Sequence, residues 1–242
     1  MAMKILLTND DGIEAEGLKH LVDWAKNKGD ICVFAPKVQQ SGKSHSIEIH
    51  SAYEVKKVDI FKGVEAYSVD STPCDCVRIA TLGMKKKFNL VISGINCGFN
   101  LGRDIQYSGT VGACYEAAEG GINALAVSTC FTSFDNAIKN LDRVYAEIER
   151  RRMFDFTKII NVNIPEEGDE ILITRVGKPI YTDKFEFLPN GLAVPNLVCL
   201  YNGSRNLEVD TDATMTGHIS ITPLSTDSTN FAAYDILTKK VG

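Results

Sequence analysis

Long apolar runs are missing from this chain of 242 residues. No stretch approaches the roughly 20 residues needed to span a bilayer, and the first apolar run, Ile5 to Leu7, is stopped at once by Asn9, Asp10 and Asp11. A membrane helix and a signal peptide of ordinary design are therefore not expected. Histidine is scarce, and His20, His45, His50 and His218 share no metal-ligand spacing, so each reads as a surface or packing residue. No C-x-x-C pair exists among the seven scattered cysteines, an odd number, which excludes a zinc finger and a disulfide framework. Reduced, buried thiols and a cytoplasmic location are expected instead. Excess positive charge is absent too: 26 Lys and Arg stand against 31 Asp and Glu, for a net charge of −5. Duplex nucleic acid, bound mainly through clustered basic groups, is an unsuitable partner. The short basic runs, Lys85 to Lys87 and Arg150 to Arg152, read as solvated helix ends. Neither a G-x-x-x-x-G-K-[ST] loop nor a G-x-G-x-x-G after the first strand is present.

What is present is an average globular composition, 44% apolar and 24% charged. Val- and Ile-rich runs alternate with segments of helical period, the pattern of βαβ units. Strands are predicted at 4–8, 31–35, 47–58, 65–69, 89–93, 124–129 and 159–164, and helices at 17–27, about 71–82, 111–119 and 134–151. Residues 1–165 are thus expected to form a three-layer, Rossmann-like α/β core, a mainly parallel sheet with helices on both faces. Residues 166–242 shift to strands and turns, with strands predicted at 171–176, 192–200 and 218–223 and a short helix at 228–238. This β-rich extension is a candidate oligomerisation arm.

Three polar loops each follow a predicted strand at its carboxyl end, where open α/β sheets place ligands. Thr8-Asn9-Asp10-Asp11-Gly12 is the first. Two like charges at a turning strand end are unfavourable without a cation, which points to a metal, although an Asp-Gly turn explains the same residues. The second is Gln40-Ser41-Gly42-Lys43-Ser44-His45, where Ser41 could complete a coordination shell or simply sit on a surface loop. The third, Ser93 to Gly102, repeats Gly and Asn in a way that lets backbone approach a ligand while Asn96 and Asn100 offer amides. Beyond it, Tyr107-Ser108-Gly109-Thr110-Val111 opens a helix whose free N–H groups suit an anion. Capping alone would also account for Ser108 or Thr110. Cys74 and Cys76 flank Asp75 at another helix start, where a thiol pKa could fall; burial is the preferred reading.

Taken together, these motifs resemble the SurE family of survival proteins, which are 5′/3′-nucleotidases. The likeness rests on Ile5 to Gly12, Ala35-Pro36, Ser41-Gly42-Lys43-Ser44, the Val91 to Gly102 loop and Tyr107-Ser108-Gly109-Thr110-Val111. It weakens past about residue 130 but includes Asn161-Val162-Asn163-Ile164-Pro165 and Gly217 to Leu224. The resemblance implies metal ligands at Asp10, Asp11, Ser41 and Asn96, with Asp10 and Asp11 as the catalytic pair. It implies substrate or phosphate contacts at Asn9, Gly42, Asn100, Ser108, Gly109 and Thr110. The segment between Leu188 and Thr211 is shorter than the family's, which leaves homodimer against homotetramer open.

An all-oxygen shell selects a hard cation, Mg²⁺ or Mn²⁺. The expected reaction is hydrolysis of nucleoside monophosphates, with one divalent cation per subunit and Asp10 the better candidate for taking the water's proton. Two other readings stand beside it. Asp10 as a nucleophile is ranked lower, because aspartyl-phosphate enzymes usually carry a second Asp two residues on and position 12 is Gly. A non-catalytic nucleotide-binding or scaffold protein would use the same crevice.

Overall fold

The computed structural model describes residues 2–239. The chain runs through β1 (Lys4–Thr8), α1 (Glu16–Ala25), β2 (Asp30–Pro36), β3 (Val55–Val58), β4 (Glu65–Val69) and α2 (Pro73–Arg78). It continues with β5 (Leu90–Cys97), α3 (Gly109–Glu119), β6 (Asn123–Thr129), α4 (Asp135–Arg150) and β7 (Ile159–Ile164). The last third holds β8 (Ile171–Ile173), β9 (Tyr181–Phe187), β10 (Ala193–Cys199), α5 (Asp210–Met215), β11 (Ile219–Leu224) and α6 (Phe231–Lys239).

Nine strands form one sheet in the order β3-β4-β2-β1-β5-β6-β7-β11-β8. Neighbours from β4 to β7 are all parallel. Parallel strands are covered on both faces, which is why Ile5, Leu6 and Leu7 are all fully buried instead of alternating. One core cluster sets Leu18, Leu21, Leu141 and Val144, from α1 and α4, against Ile5, Leu7 and Ile92. The opposite cluster sets Val77, Val111 and Cys114, from α2 and α3, against Leu6, Phe34 and Val91. The three-layer, Rossmann-like architecture expected from the sequence is thus observed. Its winding reverses between β1 and β5, and ligands of such sheets lie at the carboxyl ends beside that reversal.

Some predicted elements differ. The strand expected over 47–58 forms only at Val55–Val58, because the Glu48 carboxylate takes the His50 and Ser51 N–H groups at 2.7 and 2.9 Å and so competes with a ladder. The helix expected over 71–82 starts as read, with Thr72 capping the Asp75 N–H at 3.1 Å and Pro73 in the first turn. It ends as a π-helical turn over Ile79–Gly83. Two elements of the last third were not anticipated, β9 and α5. The latter, Asp-Thr-Asp-Ala-Thr-Met, has poor helix formers and is held by burial. Within the extension, β8 and β11 complete the main sheet, while β9 and β10 form a separate antiparallel hairpin.

Cys32, Cys74, Cys76, Cys114 and Cys130 are buried, Cys97 is half-buried and, against expectation, Cys199 is exposed; all are free thiols. Burial pushes Cys74 up to about 12, so the helix start does not activate it. Among the described residues the histidines stay outside any cluster of ligands: His20 packs tilted against Phe134, and His45 meets Glu116 at 2.9 Å. No helix among the described residues is long and apolar enough to cross a membrane.

Candidate active site

Asp10 and Asp11 follow β1 at the winding reversal, and each is tied to one of the other two loops. The Asp10 carbonyl accepts the Gln40 N–H at 2.7 Å, which places Ser41 next to it in the chain. The Asp11 carboxylate accepts the Cys97 N–H at 3.2 Å, which places Asn96 beside it, and the Gln39 amide at 3.3 Å. These bonds bring the loops that carry the four residues assigned to a metal to the β1 and β5 ends. Ser41 is exposed, and neither its hydroxyl nor the Asn96 side-chain oxygen has a protein partner among the described residues; the Asn96 amide donates to Gly98 O at 2.6 Å.

Asp10 is 6% exposed and Asp11 is half-buried. Burial pushes the Asp10 carboxyl up to about 6; the Thr110 hydroxyl, donating to Oδ1 in a short bond, pulls it back, and the charge of Asp11 raises it further. Burial raises Asp11 as well, against the Cys97 N–H and the Gln39 amide. Among the described residues no Lys, Arg or His forms an ion pair with either carboxylate. Two desolvated carboxylates without a basic partner, next to a free hydroxyl and a free amide oxygen, fit a hard divalent cation. No group of three or more His, Cys, Asp or Glu with metal-holding geometry occurs among the described residues, as expected when half the donors are neutral.

The start of α3 faces Asp10. Ser108 caps it, its Oγ accepting the Val111 N–H at 3.1 Å, and its own proton is left to donate. Gly109 is required: a Cβ there would stand 2.9 Å from Asp10 Cβ and 3.2 Å from Asp10 Oδ2. Thr110 is buried and its hydroxyl is spent on Asp10, so it orients the carboxylate and has no free proton for a phosphate.

Two other residues assigned to the substrate hold the loops in shape. Asn9 is fully buried, and its amide closes the loop on itself, donating to Gly12 O at 2.9 Å and accepting Gly12 N–H at 3.2 Å. It shapes the turn. Gly42 is exposed at φ +71°, with nothing near the position its Cβ would occupy; it supplies a turn. Asn100 is held from behind by Ser128, Asn161 and Asn163. Nothing in the sequence marked Ser128, and Asn161 and Asn163, two apart in the apolar run Ile-Ile-Asn-Val-Asn-Ile, stood in the family likeness without an assigned role. Gln39 and the Gln40 N–H were missed because backbone and long flexible amides leave no pattern.

A cavity of about 660 Å³ lies elsewhere, lined by Arg103, Lys178 and Tyr201 among others. The carboxylate site is identified by its chemistry and not by volume.

The family model described as survival protein SurE matches residues 5–183. Over 262 residues the chain is 35% identical to a protein named 5′-nucleotidase SurE from Thermoanaerobacter sp. (strain X514), covering 97% of both chains. It is 37% identical over 244 residues to one of the same name from Clostridium botulinum (strain ATCC 19397 / Type A), covering 95% of both. The crystal structure of the SurE protein from Aquifex aeolicus superposes with a TM-score of 0.79 at 31% identity, over 99% of this chain and 100% of that one. With its fold, its loops and nearly its whole length matched, the chain belongs to the SurE family.

Proposed function

We propose that this chain is a divalent-metal-dependent phosphomonoesterase that converts nucleoside 5′- and 3′-monophosphates to nucleoside and phosphate. The relatives' name, 5′-nucleotidase SurE, supports the substrate class. The observation that carries the chemistry is the pair of carboxylates, Asp10 and Asp11, without a basic partner among the described residues, at the winding reversal.

Asp10, Asp11, Ser41 and Asn96 would hold Mg²⁺ or Mn²⁺, whose Lewis acidity acidifies a water and neutralises charge on a phosphoryl oxygen. The chain's own groups do the rest. Ser108 Oγ–H, the Gly109 N–H and the Asn100 amide present donors to phosphoryl oxygens, which costs no reorganisation during reaction because the helix start is already formed. Thr110 fixes Oδ1 of Asp10, so Oδ2, left uncovered by Gly109, is the atom that takes the proton of the attacking water. Phosphate release from nucleoside monophosphates and p-nitrophenyl phosphate, measured with Mg²⁺, Mn²⁺ or EDTA, tests this. Release with either cation and loss in EDTA are expected; turnover that survives chelation rejects the metal. No release with either ion would leave the binding-module reading.

The hairpin supports assembly as a homodimer or homotetramer. Alternation along β9 and its register with β10 put Phe185, Phe187, Pro195 and Leu197 on one face, and Phe185, Phe187 and Leu197 are 58, 80 and 66% exposed. Phe185→Lys with Leu197→Lys is expected to lower the mass measured by light scattering to that of a smaller assembly. An unchanged mass would remove the hairpin from the interface. The free thiols fit a reducing, cytoplasmic setting.

A further inference from the structure

β7 is separated from β1 by β5 and β6, yet it carries two side chains whose amides converge on one residue of the site. Asn161 and Asn163 are two apart and so share a face. Both are fully buried in a strand otherwise made of Ile and Val. The Asn163 side-chain oxygen Oδ1 accepts the Asn100 backbone N–H at 2.8 Å, and its Nδ2 donates to the Asn100 backbone carbonyl at 2.8 Å. Asn161 donates to the same carbonyl at 2.9 Å. The Asn100 side-chain amide donates at 2.8 Å to Ser128, also fully buried, on neighbouring β6. The backbone and side chain of Asn100 are thereby fixed from two strands.

This arrangement is unfavourable for stability alone. Asn161 Oδ1 is buried without any partner, and a buried acceptor left unmade costs about 1–3 kcal/mol. The strand itself does not need these amides, since its ladders to β6 and β11 are complete. An apolar residue of similar volume would satisfy that stretch of core. What the amides add is a defined position for a peptide unit in a glycine-bordered loop, between Gly98 at φ +128° and Gly102 at φ +56°. Such a loop has no regular structure of its own to hold Asn100 still. Gly102 is caught similarly, its N–H donating to the buried carboxylate of Asp210 at 3.0 Å.

We infer that Asn161 and Asn163 are positioning residues, which set the place of Asn100 in the phosphate site from beneath it without touching substrate. This rests on the proposed phosphate role of Asn100. Donors in such a site act only when held near the position of developing charge, and displacements of about 1 Å can cost about 100-fold.

The test compares wild type, Asn100→Ala, Asn163→Ala, Asn161→Leu and the double variant Asn100→Ala/Asn163→Ala. Each is measured for kcat and KM with a nucleoside monophosphate under saturating Mn²⁺, for inorganic phosphate affinity by calorimetry, and for thermal midpoint. Asn163→Ala and Asn161→Leu are expected to lower kcat/KM about tenfold or more and to weaken phosphate binding, while Asn161→Leu keeps or raises the thermal midpoint because the orphaned oxygen is gone. The double variant should lose no more than Asn100→Ala alone, since both act through one group. Full activity and phosphate affinity in the β7 variants, or losses that multiply in the double variant, overturn the inference. If Asn100→Ala itself leaves both readouts unchanged, it is the phosphate role of Asn100 that fails, and the inference falls with it. If the wild type turns nothing over, phosphate affinity alone decides by the same comparison.

Discussion

Asp10→Asn is expected to abolish phosphate release, by about 1000-fold or more in kcat/KM, while making the metal-free protein more stable. The activity loss follows from removing both the charge that holds the cation and the acceptor for the water's proton, contributions of about 10²–10⁴ each in comparable sites. The stability gain follows from burial. In the folded, metal-free chain the carboxyl is pushed up to about 6 from an ordinary 3.8. A group whose folded pKa is raised contributes stability that is full below about 3.8 and is lost as pH rises through about 6. Wild type in EDTA should therefore become more stable on going from pH 7 towards pH 4 as far as this group is concerned. At pH 7 the penalty removed by asparagine is at most about 3 kcal/mol, at about 1.4 kcal/mol per unit. Added Mn²⁺ should raise the melting temperature of wild type at pH 7 and leave the variant unchanged. A variant less stable than wild type in EDTA, or one equally stabilised by Mn²⁺, contradicts this account of the site.

Gly112→Ala is expected to cost about 100-fold in kcat/KM with little loss of stability, although residue 112 lies inside a helix and touches neither carboxylate. A Cβ at this position would stand 2.3 Å from Ser44 O and 2.9 Å from Ser44 C, so backbone must move. Most of the loop that moves is exposed and it is tied down at few points, among them Ser44 N–H to Tyr107 O at 3.1 Å, Gln40 N–H to Asp10 O at 2.7 Å and the His45–Glu116 contact. It yields before the core does, and alanine in mid-helix returns about 1 kcal/mol over glycine. Displacing the loop moves Ser41 and releases the Asp10 carbonyl, so the Mn²⁺ concentration needed for half-maximal activity should rise by about tenfold, and misplacement of the site by about 1 Å accounts for the rest. Titration of activity with Mn²⁺ alongside chemical denaturation checks both halves. Unchanged activity would show that the loop carries no ligand.

Much of the fold was written locally. The unbroken apolar runs of β1 and β2 declared a covered parallel sheet, and the period of Leu18, Leu21, Val22 and Ala25 declared a helix against it. The last third was less legible: α5 is made of residues that do not favour a helix, and the strand expected over 47–58 lost most of its length to the Glu48 side chain. Such outcomes are set by contacts distant in sequence, or by competition between side chain and ladder, which periodicity does not register.

The site divides in the same way. Sequence by itself determined which residue types could hold a cation and an anion, because carboxylates, a serine, asparagines and a glycine-opened helix carry that chemistry wherever they stand. Tertiary structure decided where each of them points. It turned Asn9 inward onto Gly12, spent Thr110 on Asp10, and placed Asn161 and Asn163 beneath Asn100. The reason is that a side chain's chemistry is intrinsic, whereas the direction in which its donors and acceptors point is fixed only when the sheet brings loops from β1, β2 and β5 to one end and buries them together.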